Sequence, residues 1–254
     1  MISIITVNYN SKNYLEKLIT SIKKHLDTNK IELIIVNNDK KRLKIDNHLV
    51  RTNIIHKGEN IGFGAASNVG AHNAKKEWLL FVNPDLEFID NSLEKAIKFL
   101  QKNKKIATIG PQIIQNSTKR AQPWTSGKKT SLSQILFRNT IKKSWNKKNP
   151  VSVDWVSGTT LLISRKQFIK VGGFDETFFM YFEDQDLCLR IKEQNKKILF
   201  YPDFKVLHHD GKSWNNKKGQ KNHYYKSQDL FFQKHHNLFQ QYLLRIIRKI
   251  TKGH

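Results

Sequence analysis

The first third of the chain alternates short apolar runs with stretches of helical periodicity, and few architectures satisfy that alternation. Ile2 to Val7 is an apolar run of strand length, Tyr14 to Leu26 repeats its apolar residues at helical spacing, and Ile31 to Val36 is a second buried strand. A third strand is expected at Ile54 to His56, a helix at Ala65 to Lys75, and a further strand at Trp78 to Val82 that ends in the turn Asn83-Pro84-Asp85. A helix at Ser92 to Gln101 and a strand near Ile106 to Ile109 extend the pattern. Strands alternating with helices give an α/β fold with a mostly parallel central sheet flanked by helices.

Such sheets bind ligands beyond the carboxyl ends of their strands. Polar residues should therefore gather there, and they do. Asn8 to Ser11 follows the first strand, Asn37 to Asp39 the second, and Asn83 to Asp85 the fourth. Each cluster alone also suits an ordinary turn; three at three strand ends point to a site.

Beyond this half the pattern weakens. Gln115 to Asn149 is polar, basic and weakly periodic, and is expected to be a long loop or mobile insert. Order resumes over Val153 to Ile163, a short helix begins at Gln167 and stops at Gly172-Gly173, and a strand is expected over Ile198 to Tyr201 and Val206 to Leu207. At the end, Leu238, Phe239, Tyr242, Leu243, Ile246, Ile247 and Ile250 share one face of a basic helix, with Gln241, Arg245, Arg248 and Lys249 turned elsewhere. Such a helix either docks on its own domain or lies on an anionic leaflet.

Composition narrows the partners. Lys and Arg number 45 against 21 Asp and Glu, a formal charge of +24, which favours a phosphate-bearing partner. The excess is spread over runs at 40 to 44, 102 to 105, 142 to 148 and 212 to 221, so it forms no single motif. A nucleic-acid-binding module stacking bases on the five Trp fits the charge, but no binding motif is present and the acids at Glu183 to Asp186 would repel phosphate without a metal. The single cysteine, Cys188, excludes an intrachain disulfide and reads as a buried apolar filler. With no signal-like start and no apolar run of about 18 residues, the expected location is cytoplasmic, at most resting on a membrane.

Four stretches are candidates to carry chemistry. Asp85 sits on a Pro-stiffened turn at a strand end, where a carboxylate is suited to Mg²⁺ or Mn²⁺ while a diphosphate supplies further oxygens. Phe179-Met-Tyr-Phe-Glu-Asp-Gln-Asp sets three acids directly behind an apolar run, a costly arrangement unless they meet cations or abstract protons. Acids at a helix N-terminus, favoured by the macrodipole, are the competing account of Glu183 to Asp186. His208 and His209 follow an apolar strand, and one imidazole would complete the coordination of a cation on Asp85; Gly211, Lys212 and Ser213 come next and suit a segment closing on phosphate. Asn60-Ile-Gly-Phe-Gly-Ala-Ala-Ser-Asn-Val-Gly opens a helix with backbone N–H groups suited to an anion, but its spacing matches neither the dinucleotide nor the Walker fingerprint.

In order, these segments resemble the inverting family 2 glycosyltransferases, and among them the rhamnosyltransferase-like group of bacterial surface polysaccharide synthesis. The stretches that carry the resemblance are Thr6-Val-Asn-Tyr-Asn, Ile35-Val-Asn-Asn, the Asn60 to Gly70 loop, Asn83-Pro-Asp, Trp155-Val-Ser-Gly, Gly172 to Arg190 and His208-His-Asp-Gly-Lys-Ser. The resemblance implies a GT-A, Rossmann-like domain. Residues 1–114 would be its nucleotide-sugar-binding half, 115–213 its acceptor-binding and catalytic half, and 214–254 a basic helical appendage.

The resemblance further implies a nucleotide-diphosphate sugar donor, best dTDP-L-rhamnose with UDP or GDP sugars as the alternative, and a glycan or lipid-diphosphate-linked acceptor. Thr6, Asn8 and Asn37 would hold the nucleoside, Asn83 the ribose, and Asp85 with His208 a divalent metal. Asn60, Asn68 and Glu183 would join the donor site, Trp155, Ser157 and Gly158 would line the sugar pocket, and Asp184 would be the general base. The family usually carries Asp where this chain has Asn37, and Asn83 replaces the first acid of the Asp-x-Asp pattern.

Overall fold

The computed structural model describes residues 1–45, 51–136, 148–209 and 217–251. The expected segment Gly211, Lys212 and Ser213 and most of the basic run at 142 to 148 lie outside the described residues.

The strands β1 (Ile2–Asn8), β2 (Ile31–Asn37), β3 (Arg51–His56) and β4 (Trp78–Val82) pair in parallel in the order β3-β2-β1-β4. Helices α1 (Lys12–His25) and α2 (Phe63–Asn73) supply the first crossovers. β4, an unbroken apolar run, is buried along its whole length, and so is β2, whose Glu32 carboxylate accepts from Ser3 Oγ and Lys75 N, whereas edge strand β3 is mostly exposed or half-buried. That edge position explains why only its last three residues are legible in the sequence.

The remaining elements complete the sheet. β5 (Leu86–Phe88) leads into α3 (Ser92–Lys102) and β6 (Ile106–Gln115); β7 (Ser126–Gly127) and α4 (Leu132–Leu136) follow. Then come β8 (Val151–Val153), β9 (Trp155–Val156), β10 (Thr160–Ser164), α5 (Arg165–Lys170), α6 (Glu183–Glu193), β11 (Lys197–His208), α7 (Lys217–His235) and α8 (Leu238–Thr251). β10 enters antiparallel between β4 and β6, and β6 pairs in parallel with β11 in a sheet of nine strands. β5, β8 and β10 thus run against the other six strands, and the sheet is mainly parallel with helices on both faces.

Alternate residues of each strand feed two cores. Ile2, Ile4, Leu33, Ile35, Leu80 and Leu162 pack with Leu15, Leu18 and Ile22 of α1 and Leu93 and Leu100 of α3. Ile5, Ile34, Val36, Phe81 and Leu161 pack on the other face with Ala66 and Ala71 of α2 and Leu187, Cys188 and Ile191 of α6. Small residues let α2 lie close: a Cβ at Gly70 would overlap Ile5 Cγ2. Cys188 is fully buried among these apolar groups, and burial pushes its thiol up to about 12.

Three expectations change. Residues 115 to 149 are not wholly irregular among those described, because β6 runs on to Gln115, β7 pairs with β9 and α4 forms; elements this short leave no readable period. β11 is one strand that passes Pro202 with a register shift between Tyr201 and Lys205, where the ladder does not need the missing N–H. The third concerns the helical segment expected over 214–254, which is two helices among the described residues; α7, the first, is not amphipathic, because its apolar residues are scattered among Lys, His and Gln.

α7 and α8 build a third cluster in which Phe231, Phe232 and Leu244 meet Phe178 and Phe182. α8 therefore docks on its own domain through Leu244 and Ile247. Among the described residues no helix is long and apolar enough to cross a membrane.

Polar contacts fix α7 to α6. Asp186 is fully buried and accepts from Arg190 Nε at 2.8 Å, Lys234 Nζ at 2.7 Å and His235 Nε2 at 2.9 Å. Arg190 donates onward to Val171 O and Gly173 O, so one carboxylate ties α6, α7 and the loop between α5 and α6. Burial alone would raise the Asp186 carboxyl; the bonds from His235 and Lys234 and the Arg190 charge outweigh it and hold the group well below the usual carboxylate range. A carboxyl depressed in the folded state contributes stability above its unfolded pKa, near 4, and loses it as pH falls below that point. Asp186→Ala should cost on the order of 2 kcal/mol in denaturant unfolding at pH 7, because a fully buried carboxylate loses its charge-assisted hydrogen bonds while Arg190 and Lys234 keep part of their contact with water. The wild-type protein's advantage over the variant should shrink as unfolding is repeated at pH values descending from 4.

Candidate active site

β1 and β2 end in register, Asn8 beside Asn37. Asn8 Nδ2 donates to Asn37 Oδ1 at 2.7 Å and to Asp39 Oδ2 at 2.8 Å, and Asn10 N donates to both Asp39 oxygens at 2.9 and 3.2 Å. The Asn37 amide turns to Lys41 O and His56 Nδ1, so Asn37 is a fully buried bracket at the end of three adjacent strands. The carboxylate absent at position 37 stands instead on Asp39, half-buried at the mouth of the crevice; its place in the Asn37 to Asp39 cluster was the only signal for it. Thr6 is buried beneath, its Oγ1 without a partner.

The loop before α2 leans on this bracket. Asn38 Nδ2 donates to Asn60 Oδ1 at 3.3 Å and Gly62 O at 3.1 Å, and Asn60 Oδ1 also accepts from Gly62 N at 3.0 Å. Gly62 takes φ 89°, and a Cβ there would stand 2.5 Å from Phe179 O, which accepts from Phe63 N at 2.9 Å. The glycine loop is thus in contact with the segment that leads to Glu183. Asn68, further along α2, spends its amide on Phe174 O, Phe174 N and Glu176 Oε1, which anchors the loop after Gly173.

At the end of β4, Asn83 is half-buried and its N–H donates to Thr159 O at 2.9 Å. Asp85 is buried, with Oδ2 3.2 Å from His208 Nε2 and Oδ1 without a partner. Gln122, which the sequence gave no reason to single out, places its Oε1 2.7 Å from His208 Nδ1. His208 thus stands between Gln122 and Asp85, one ring nitrogen toward each. An imidazole nitrogen and a buried carboxylate that, among the described residues, has one oxygen without a partner are a donor set that fits a divalent cation. Among the described residues no group of three or more His, Cys, Asp or Glu is arranged to hold an ion, so Asp85 and His208 would leave further positions to a ligand. His209 turns away to Glu87 at 2.6 Å.

The acids after Phe182 do open a helix, as the macrodipole account expects, yet they are not equivalent. Tyr181 and Phe182 both take left-handed backbone, φ 71° and 67°, at a cost of about 1–3 kcal/mol each. Asp184 is half-buried: Oδ2 accepts from Gly158 N at 2.9 Å and Oδ1 from Gln185 N at 2.7 Å. Burial pushes the Asp184 carboxyl up against the pull of those N–H groups. Glu183 is more buried, its Oε2 has no partner, and burial with the neighbouring Asp184 charge drives it well above the usual range.

Gly158 holds the space in front of Asp184, since a Cβ there would meet Phe63 at 3.0 Å and Asp184 Cβ at 3.5 Å. Ser157 bonds Thr159 Oγ1 and its N–H donates to Thr125 O. Trp155 lies in the core with its indole N–H on Lys128 O.

Residues 3–184 match the Glycosyl transferase family 2. Rhamnosyltransferase WbbL of Escherichia coli (strain K12) is 29% identical over 235 residues, covering 85% of this chain and 88% of WbbL. An N-acetylglucosaminyl-diphospho-decaprenol L-rhamnosyltransferase of Mycobacterium tuberculosis (strain CDC 1551 / Oshkosh) is 27% identical over 178 residues, covering 61% of this chain and 58% of the relative's length. The crystal structure of GalNAc-T7 with UDP, GalNAc and Mn²⁺ superposes with a TM-score of 0.66 at 17% identity, over 91% of this chain and 49% of that one. A match running from the first strand to Asp184 fixes the family: the chain belongs to glycosyl transferase family 2 and is a glycosyltransferase of GT-A fold.

Proposed function

We propose that the protein inverts and transfers a sugar, L-rhamnose from dTDP-L-rhamnose, onto a hydroxyl of a lipid-linked or oligosaccharide acceptor in O-antigen, capsule or cell-wall polysaccharide synthesis. The observation that carries the reading is Asp184, a half-buried carboxylate oriented by the backbone N–H groups of Gly158 and Gln185. The rhamnosyltransferase relatives support the sugar.

In this reading Asp184 takes the acceptor hydroxyl's proton as the oxygen attacks the anomeric carbon. The new C–O bond forms on the face opposite the nucleotide, the bond from the anomeric carbon to the diphosphate oxygen breaks, and its electron pair leaves with the nucleoside diphosphate. Thr6, Asn8 and the Asn37 turn, with Asp39 beside them, frame the nucleoside; Asn60, Asn68 and Glu183 support the donor site, and Asn83 stands by the ribose. Ser157 and Gly158 form the wall of the sugar pocket, and Trp155, buried in the core, backs them. Asp85 and His208 would hold Mg²⁺ or Mn²⁺, which when bound supplies positive charge to stabilise the leaving diphosphate.

The reading extends to peripheral contact with an anionic leaflet. Leu238, Phe239 and Tyr242 on α8 are 81%, 68% and 63% exposed, while Arg245 and Lys249 follow on the same side of the helix. An apolar tip beside cations on a chain of charge +24 complements acidic headgroups.

Three measurements test these statements. Asp184→Asn should lower kcat by about 10²-fold or more with unchanged melting temperature, and the acid limb of the wild-type pH–rate profile should lie above the ordinary Asp value near 4, because the raised carboxyl must be ionised to act. An Asp184→Asn enzyme as fast as wild type would remove the base assignment. dTDP with Mn²⁺ should raise the melting temperature, chelator or Asp85→Ala should abolish the shift, and a shift with UDP or GDP in its place would change the donor. Sedimentation with vesicles containing phosphatidylglycerol should be salt-sensitive and lost in a Leu238→Ser, Phe239→Ser, Tyr242→Ser variant; binding that survives those changes would dismiss α8 as the contact.

A further inference from the structure

The segment that delivers Asp184 is held from two sides, and only one belongs to residues 3–184 that match the family. On that side the N-terminus of α2 presses on Phe179 through the Phe63 N–H. On the other side lies α7. Ser227, buried on α7, donates its hydroxyl to Met180 O at 2.7 Å, and Gln220 Nε2 donates to the Tyr181 hydroxyl at 2.7 Å. Phe179 stacks on His223 with centroids 4.5 Å apart, Tyr224 packs against Tyr181 and Phe182 at 5.7 and 5.4 Å, and Phe231 lies 5.2 Å from Phe182.

These contacts fall on the left-handed pair Tyr181 and Phe182 and on the residues beside it. Two consecutive bulky residues at φ 71° and 67° do not stay there unaided, because each would relax to negative φ if released. Phe182 is also the N-cap of α6 and offers its helix no side-chain cap bond. Relaxation at either position would rotate the first turn of α6 and carry Asp184 away from Gly158.

We propose that α7 is a brace for the catalytic turn and that Ser227 is a positioning residue, its bond to Met180 O holding the Tyr181–Phe182 backbone so that Asp184 faces the acceptor hydroxyl. The inference rests on the reading of Asp184 as the base. The dependence concerns the chemical step, since neither Ser227 nor Gln220 contacts the nucleoside bracket at Asn8, Asn37 and Asp39 or the Asp85–His208 pair. α7 thereby couples catalytic geometry to the helical appendage that also carries the α8 surface.

The test compares the full-length wild-type protein with Ser227→Ala, Ser227→Thr and Asp184→Asn, reading kcat, donor KM, the melting-temperature shift with dTDP and Mn²⁺, and the pH–rate profile. Ser227→Ala should lower kcat about tenfold while donor KM and the nucleotide-induced shift stay within about twofold of wild type. Its acid limb should also move, because Asp184 no longer keeps its N–H partners, and Ser227→Thr, which restores a hydroxyl, should recover kcat to within about threefold. A Ser227→Ala protein that melts earlier but keeps wild-type kcat would overturn the brace, as would one in which donor KM rises and kcat does not. Should Ser227→Ala fail to fold, Gln220→Ala on the exposed edge of the same contact carries the comparison, with kcat expected to fall about threefold and an unchanged kcat overturning the proposal. If Asp184→Asn proves as active as wild type, the base assignment has failed; if it is inactive and Ser227→Ala is not impaired, the brace alone has failed.

Discussion

Two carboxylates separated by one residue on the first turn of α6 must exist in opposite circumstances for this site to be built. Asp186 faces inward, meets Arg190, Lys234 and His235, and is an anion bound into the structure. Asp184 is half-buried and accepts from two backbone N–H groups, which favour its charged form, but burial outweighs them and raises its proton affinity. Environments that separate neighbouring acids in this way divide their labour. In the proposed reading Asp184 is left to chemistry and Asp186 holds the helix that carries both, while Glu183, between Phe182 and Asp184, is driven well above the usual range by burial and the Asp184 charge.

The same economy appears at the strand ends. Asn8 and Asn37 spend their amides on each other and on neighbouring backbone, and what projects toward the crevice is the Asp39 carboxylate that they orient. His208 is oriented by Gln122 as Asp184 is by Gly158. Asp39, His208 and Asp184 are each paired with a group that orients them, and those partners come from chain segments far apart in sequence.

That separation governs how much could be read in advance. β4 was legible to the residue and β1 and β2 to within one, because runs buried on both faces carry the full apolar signal. Asp85, Asp184 and His208 were legible because strand ends and acids beside aromatics are costly without a purpose. Gln122 and Ser227 were not, since a glutamine after a strand or a serine in a basic helix has no local mark, and their meaning comes from partners 86 and 47 residues away. α8 was legible as amphipathic, but its inner contact is led by Leu244, which the face drawn from the sequence left out.

The antiparallel strand β10 bears on how the chain assembles during synthesis. β4 leaves the ribosome long before its partner, and until residues 160–164 arrive its outer edge, from Trp78 to Val82, offers a row of unpaired amides on an entirely apolar strand. An edge of that kind invites pairing with another nascent chain. The seam closes only when β10 slides between β4 and β6, an event that also brings Gly158, immediately before it, toward the crevice. Closing that seam sets Gly158 in place before α6 delivers Asp184 and before β11, the last strand to join, delivers His208.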